Sequence, residues 1–311
     1  KLSVGILSAY QLYGDGSNLT GISGGGLSAD SDRNLFASNT CSACNFSGAT
    51  DNVLFGQCAG KCITSGDNNI ALGCRALCKA EGASDNIAMG LEAGQSITSG
   101  LRNIFIGKTS GQNLSTGCEN IAIGCKSLGT GVVTGNDNVS IGHNSGNCLS
   151  SGGCNVIIGR SAANQLTSGY DNIAIGCCAM ALCGVTGFGN ISIGKKAGHR
   201  MLNGSDNVNI GHGAGDRLTT ATGNIFIGHC TGYLSCKTSC NVALGTFALR
   251  KIGCTDGECG RFNQAIGDYA GYGATTGGCN VFLGSYSGPN VTTGSRTVSY
   301  THLTLPTILL V

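Results

Sequence analysis

Tryptophan is missing from this chain, proline occurs only twice, and charged residues make up 11%. So little charge beside 41% apolar residues excludes a disordered polymer, which needs the opposite balance. A formal charge of +2 without any basic stretch excludes nucleic-acid binding through phosphate neutralisation. No run of about 18 apolar residues is present, so no ordinary membrane-spanning helix and no membrane insertion are expected. There is no initiator Met. Lys1 to Leu7 could pass for a short signal core but lacks a convincing small-residue cleavage site, so the natural N-terminus is expected upstream.

What the chain has is glycine, 54 residues of it, too much for a helical protein and placed at fixed intervals. The motif Asn-(Ile/Val)-x-(Ile/Leu)-Gly recurs as Asn86-Ile87-Ala88-Met89-Gly90, Asn103-Ile104-Phe105-Ile106-Gly107 and Asn120-Ile121-Ala122-Ile123-Gly124. Anchor asparagines fall at 52, 69, 86, 103, 120, 138, 155, 172, 190, 207, 224, 241, 263 and 280, in steps of 17 or 18 with one of 22. A unit this short cannot bury a core alone and must stack on its copies. The expected fold is therefore all-β, a parallel β-solenoid (β-roll or β-helix) of about 14–15 rungs with 17-residue repeats.

With the anchor Asn as position 1, positions 2 and 4 are almost always large and apolar while position 3 varies. This alternation predicts a short strand with 2 and 4 facing in and 3 facing out. Position 5 is Gly from Gly56 to Gly284, and position 8 is always Ala, Ser or Thr, as in a narrow coil with a tight corner. An apolar residue near position 12, such as Ile63, Ile97 or Leu149, predicts a return strand before a second corner. Backbone bonds must then run between rungs, giving a rod on the order of 65 Å at roughly 4.8 Å per rung. A corner Asn in every rung predicts a side-chain ladder along the rod.

Asn34 to Ser38 reads as a degenerate first rung, so the array is expected over 34–296. Residues 1–33 form a separate N-terminal segment ending in the join Gly24-Gly25-Gly26. The step from Asn241 to Asn263 predicts a five-residue insertion bulging from one corner within Ile252 to Gly260. Residues 297–311 lose the glycine beat. Val298 to Thr307 resembles one reading frame of a transposase mosaic-end sequencing adapter, so this tail is expected to be non-native.

The segment Gly14-Asp15-Gly16-Ser17-Asn18-Leu19-Thr20-Gly21-Ile22, followed by the Asn-Ile-x-Ile-Gly repeats, resembles phage and other viral tail-fibre-like proteins. The repeats are also similar to the heads of trimeric autotransporter adhesins, whose repeats are typically shorter. The resemblance implies a homotrimer that attaches to a host cell-surface glycan or receptor.

Nineteen cysteines are the feature a bare solenoid does not require. Stacked positions bring Cα atoms to about 5 Å, within disulfide range, so Cys58–Cys74 and Cys62–Cys78 are possible pairs. The alternatives are stacked thiols acting as small apolar groups and a four-thiolate metal site borrowing the Cys41-x-x-Cys44 spacing. His143, His212 and His229 all occupy position 6, the last two on adjacent rungs, but no third ligand stands at a matching position, and no metal is expected. Asp85, Asp137, Asp171 and Asp206 precede their anchors as turn residues. A glycan on Asn138 or Asn190, both in glycosylation triplets, would break the stack.

Catalytic and cofactor residues are absent from this reading: no phosphate loop precedes a helix, and no carboxylate pair departs from the turn pattern. The expected function is a non-enzymatic shaft of a virion tail fibre, working by stiffness and multivalent contact. The alternative is a bacterial cell-surface adhesin. Ice binding ranks lower, because Thr and Ser sit side by side at a corner and form no outward lattice.

Overall fold

The computed structural model describes residues 27–37, 46–129, 131, 133–182, 184–253 and 260–301. Within them the chain winds as a parallel β-solenoid whose seventeen three-residue strands form one sheet. Strand β1 (Leu27–Ala29) pairs antiparallel with β2 (Leu35–Ala37); every later pairing is parallel and in register, so Ile87 sits on Ile104 and Ile104 on Ile121. Asn34 enters the ladder and β2 pairs with β3 (Val53–Phe55), as expected of a first rung.

Many backbone amides are satisfied by a neighbouring coil, as Ile70 N–H donates to Asn86 O at 2.8 Å and Gly73 N–H to Phe55 O at 2.7 Å, while corner amides such as Ala59 N–H bond within their own coil, to Gly56 O at 3.1 Å. The anchor asparagines form a continuous buried column from Asn34 to Asn280. In each step the Oδ1 of one Asn accepts both the backbone N–H and the Nδ2 of the next, at 3.0 and 3.1 Å from Asn155 to Asn172. The second Nδ2 hydrogen reaches a corner carbonyl, as from Asn155 to Gly169 O at 2.9 Å. The ladder exists, then, but inside the coil. The turn conformation falls on the residue before it, where Asp85, Asp137, Asp171 and Asp206 have φ between 56° and 60°.

This placement reverses the expected facing of the strand. Position 3 is buried in every rung, for example Leu54, Ala88, Phe105, Ser140 and Phe282, while positions 2 and 4 lie outside. The Asn amide needs shielding from water for its bonds to be worth making, and position 3 shares its face. The large β-branched residues therefore line the outer surface of the sheet. The expected return strand is also corrected: position 12 belongs to turns, with only isolated bridges such as Leu114 to Val133.

Core volume is shared between positions 3 and 9. Where position 3 is large, position 9 is small: Gly60 with Leu54, Gly232 with Phe226, and Ala163 with Ile157; a Cβ on Gly232 would meet the Phe226 ring at 2.5 Å. Where position 3 is Ala, position 9 can be large, as in Ala71 with Leu77, Ala122 with Leu128 and Ala174 with Met180, all buried. Ala88 and Gly94 are both small because Phe105 and Leu77 enter from the flanking rungs. Close packing is thus kept both within a rung and across neighbouring layers.

The long step is absorbed without loss of register, since Asn263 Nδ2 still donates to Asn241 Oδ1 at 3.0 Å; of the stretch from Ile252 to Gly260 expected to hold the insertion, Cys254 to Cys259 lie outside the described residues. At the far end β17 (Val298–Tyr300) stacks on β16 (Val281–Leu283), and Thr297 N–H caps the ladder on Asn280 Oδ1 at 2.8 Å. The solenoid pattern therefore continues into residues read as an unrelated tail. The Gly14–Ile22 segment, the Gly24–Gly26 join and residues 302–311 lie outside the described residues.

Candidate functional site

Every rung carries the same glycine corner and the same ladder, so neither can distinguish a recognition site from scaffold. The variable, exposed places are positions 6 and 7, just past the Gly corner, and the outer sheet face. Position 7 takes a left-handed backbone in most rungs, including Cys178, Cys230, Phe247, Tyr269 and Tyr286 at φ of 52° to 58°. That conformation is fixed by hydrogen bonds between coils, such as Tyr269 N–H to Thr246 O at 2.8 Å, so side chains there are held at a constant spacing.

In the last rungs this column becomes aromatic. Phe247 and Tyr269 rings lie 5.2 Å apart, and Tyr269 stacks on Tyr286 at 4.8 Å with 6° between planes. Tyr272, at position 10, packs beside Tyr269 at 5.5 Å. Arg250 sits 5.2 to 5.7 Å from the Phe247, Tyr233 and Tyr272 ring centres and donates to the Tyr272 hydroxyl at 2.8 Å; Lys251 lies 5.2 Å from Tyr272. Tyr286 is 60% exposed. The result is a ridge of ring edges, phenol hydroxyls and two cations, a mixture suited to binding because Tyr and Arg give large contact area at low entropy cost.

Just ahead of the anchor asparagines, an open groove of about 310 Å³ is lined by Arg261, Phe262, Cys279 and Arg296. Phe262 is 59% exposed. The groove and the ridge both belong to the final rungs, whereas earlier ones carry exposed ion pairs between coils, such as Arg75 with Glu92 at 2.8 Å. Such pairs contribute at most about 1 kcal/mol each.

Histidines 212 and 229 stack as their shared position required, with ring centres 5.2 Å apart and 11° between planes. Cys230 joins them, its Sγ 3.6 Å from His229 Nε2. His143 belongs to no such group: among the described residues these three are the only set of His, Cys, Asp and Glu positioned for a metal ion.

The fourteen described cysteines are all free thiols; Cys58, Cys74, Cys62 and Cys78 are not joined. Burial pushes the Cys78 thiol up, and the Cys62 and Cys58 thiols add to it. Cys41 and Cys44 lie outside the described residues. Cys177 and Cys178 occupy positions 6 and 7 with Sγ atoms 3.5 Å apart. The Cys178 thiol and the Arg160 guanidinium, 3.6 Å away, hold Cys177 below its ordinary range, while burial pushes Cys178 up. Because the thiolate is the nucleophile, limiting iodoacetamide near neutral pH is expected to label Cys177 several-fold faster than Cys178, with Arg160→Ala narrowing the gap. Peptide mapping of the alkylated protein reads this directly, and equal labelling would contradict it.

Among the described residues no helix is long and apolar enough to cross a membrane. Comparison with known protein families, characterised proteins and solved structures finds no match to this chain.

Proposed function

We propose that this chain is a non-enzymatic attachment shaft, a segment of a viral tail fibre that binds host-surface glycan or receptor through its flank. The observation that carries the reading is the Tyr-Phe-Arg ridge, an exposed amphipathic strip mounted on a rod whose spacing is fixed rung by rung. Tyr hydroxyls and the Arg250 and Lys251 donors suit the hydroxyl and acidic groups of a glycan, and ring edges suit its apolar C–H surface. A single strip of this size binds weakly; several copies on one particle give avid attachment. The glycine-and-asparagine repeats and the resemblance of the Gly14–Ile22 segment to tail-fibre proteins supply the viral part of the reading.

Assembly as a homotrimer would use the outer sheet face. Its two columns, mostly Ile, Val, Leu and Met, leave Met89, Ile106, Ile225, Ile266 and Leu283 between 37% and 47% exposed. A face about 65 Å long and about 10 Å wide offers roughly 650 Å² per copy, close to the roughly 800 Å² per partner of a stable interface. Contiguous apolar surface of this extent marks an interaction site.

The test is binding of the purified full chain to arrays of neutral and acidic glycans and to host cells. Tyr286→Ala and Tyr269→Ala are each expected to weaken binding about tenfold, the loss of about 1.4 kcal/mol typical of a central aromatic contact. Absence of binding to any of these surfaces, or binding unchanged in both variants, would defeat the proposal. Sedimentation would separately report the trimer.

A further inference from the structure

We propose that His212, His229 and Cys230 form a binding site for a zinc-type transition-metal cation, with three protein ligands and an open fourth position. One Nδ1 or Nε2 atom of each His and the Cys230 Sγ all lie within 4.8 Å of one another. A tetrahedral zinc ion with nitrogen ligands at about 2.0–2.1 Å and sulfur at about 2.3 Å separates its donors by about 3.3–3.7 Å. The Cys230 and His229 donors already stand at 3.6 Å. The His212 donor, within 4.8 Å of the other two, has no more than about 1 Å to close, within reach of a small ring rotation of an exposed side chain.

The fold builds this arrangement from two coils. His212 and His229 share position 6, so stacking alone makes their rings neighbours. Cys230 N–H donates to His212 O at 2.9 Å, and the left-handed backbone of Cys230, φ 52°, sets its thiol beside its own neighbour's imidazole. Below Cys230 the stacked residue is Gly213, the only glycine at position 7 in the fourteen repeats. A Cβ there would stand 3.3 Å from the Cys230 Sγ, so the missing side chain leaves the thiol its room. On the other side the Phe247 ring meets His229 edge to face at 5.2 Å and limits its swing.

The donor set selects the cation. Two imidazoles and a thiolate favour zinc, cobalt or copper over magnesium or calcium, which take oxygen ligands. On binding, the Cys230 S–H bond breaks, the sulfur–metal bond forms and the proton leaves to solvent. Burial pushes the Cys230 thiol up; Arg250 opposes that rise and Asp216 adds to it. Water or an external donor fills the fourth position, as at zinc sites left open for exchange.

Titration of the reduced full chain with Co²⁺ alone, followed by Zn²⁺ displacement, tests the proposal. One equivalent is expected to give the intense visible bands of tetrahedral cobalt with a thiolate-to-cobalt band in the near ultraviolet. Cys230→Ser should remove the thiolate band, and His212→Ala should weaken Zn²⁺ binding at least tenfold. Cys178→Ser, at the equivalent position of another rung, should change neither. All three positions are on the surface of the coil, and an unchanged circular dichroism spectrum confirms that each variant folds. Spectra or affinities that survive both Cys230→Ser and His212→Ala would place the metal on other cysteines and overturn the site, as would the absence of any tetrahedral cobalt signal.

Discussion

Replacing Asn155 by Ala is expected to destabilise the rod by about 3–5 kcal/mol and to split its unfolding into two steps. Asn155 sits in the middle of the buried ladder, and its side chain takes part in four hydrogen bonds there. Its Oδ1 accepts from Asn172 N and Nδ2, and its Nδ2 donates to Asn138 Oδ1 at 2.9 Å and to Gly169 O at 2.9 Å. Ala at this position leaves the Asn172 backbone N–H without its acceptor and removes a donor from Gly169 O, both in the interior. Each buried group left without a partner costs about 1–3 kcal/mol, and the void adds to it. Because each coil is stabilised mainly by its two neighbours, the loss falls on one junction and uncouples the halves on either side. Denaturant unfolding followed by circular dichroism should show one transition for the parent and two for the variant. Asn203→Ala, at an exposed corner where only Thr186 donates to the side chain, should stay within about 0.5 kcal/mol of the parent. Equal effects at Asn155 and Asn203 would mean the column contributes nothing beyond an ordinary surface amide.

Much of this architecture is legible in the residues because a fixed period constrains backbone pairing directly. Parallel stacking, the glycine corner, the small residue at position 8 and the existence of the ladder all follow from which positions repeat. Which face of the strand points inward does not. Alternation shows only that positions 2 and 4 share one face and that 1 and 3 share the other. Size suggests that Ile and Val belong inside, but the buried Asn column fixes position 3 as the inward site, whether it is small as at Ala88 and Ser140 or large as at Ile157 and Phe105. The variation at position 3 looks like surface tolerance in the sequence. In the fold it is matched at position 9, as Phe226 is by Gly232 and Ala71 by Leu77, a correlation that becomes visible only once those two columns are known to touch. The same applies to the proposed metal ligands. Equal position put His212 beside His229, but Cys230 stands in the next column, and its approach depends on a left-handed backbone and on Gly213 below it. The aromatic ridge was equally hidden, since Phe247, Tyr269 and Tyr286 share position 7 across the irregular 22-residue step.

Alanine at Gly159 is expected to cost about 2–6 kcal/mol, while the same change at Gly82 is expected to be neutral or to stabilise by up to about 1 kcal/mol. Gly159 occupies the corner column with φ +131°, a conformation that side-chain-bearing residues rarely adopt. Such backbone strain costs about 1–3 kcal/mol. A Cβ would also stand 2.8 Å from the carbonyl carbon and oxygen of Gly176 in the next coil. Those are backbone atoms, held by Gly176 N–H donating to Ile158 O at 2.8 Å, so no rotamer change can relieve the contact. The coils must separate locally, which strains that bond and adds about 1–3 kcal/mol of overpacking. Gly82 has no positive φ, and its nearest neighbour would be Ser65 Oγ at an ordinary 3.6 Å. There the added methyl mainly restricts the unfolded chain, which favours the folded state. Denaturation midpoints of the two variants should therefore move in opposite directions or differ by several kcal/mol. Comparable midpoints would show that the corner glycine is replaceable, and that close approach between coils is not what keeps this column glycine from Gly56 to Gly284.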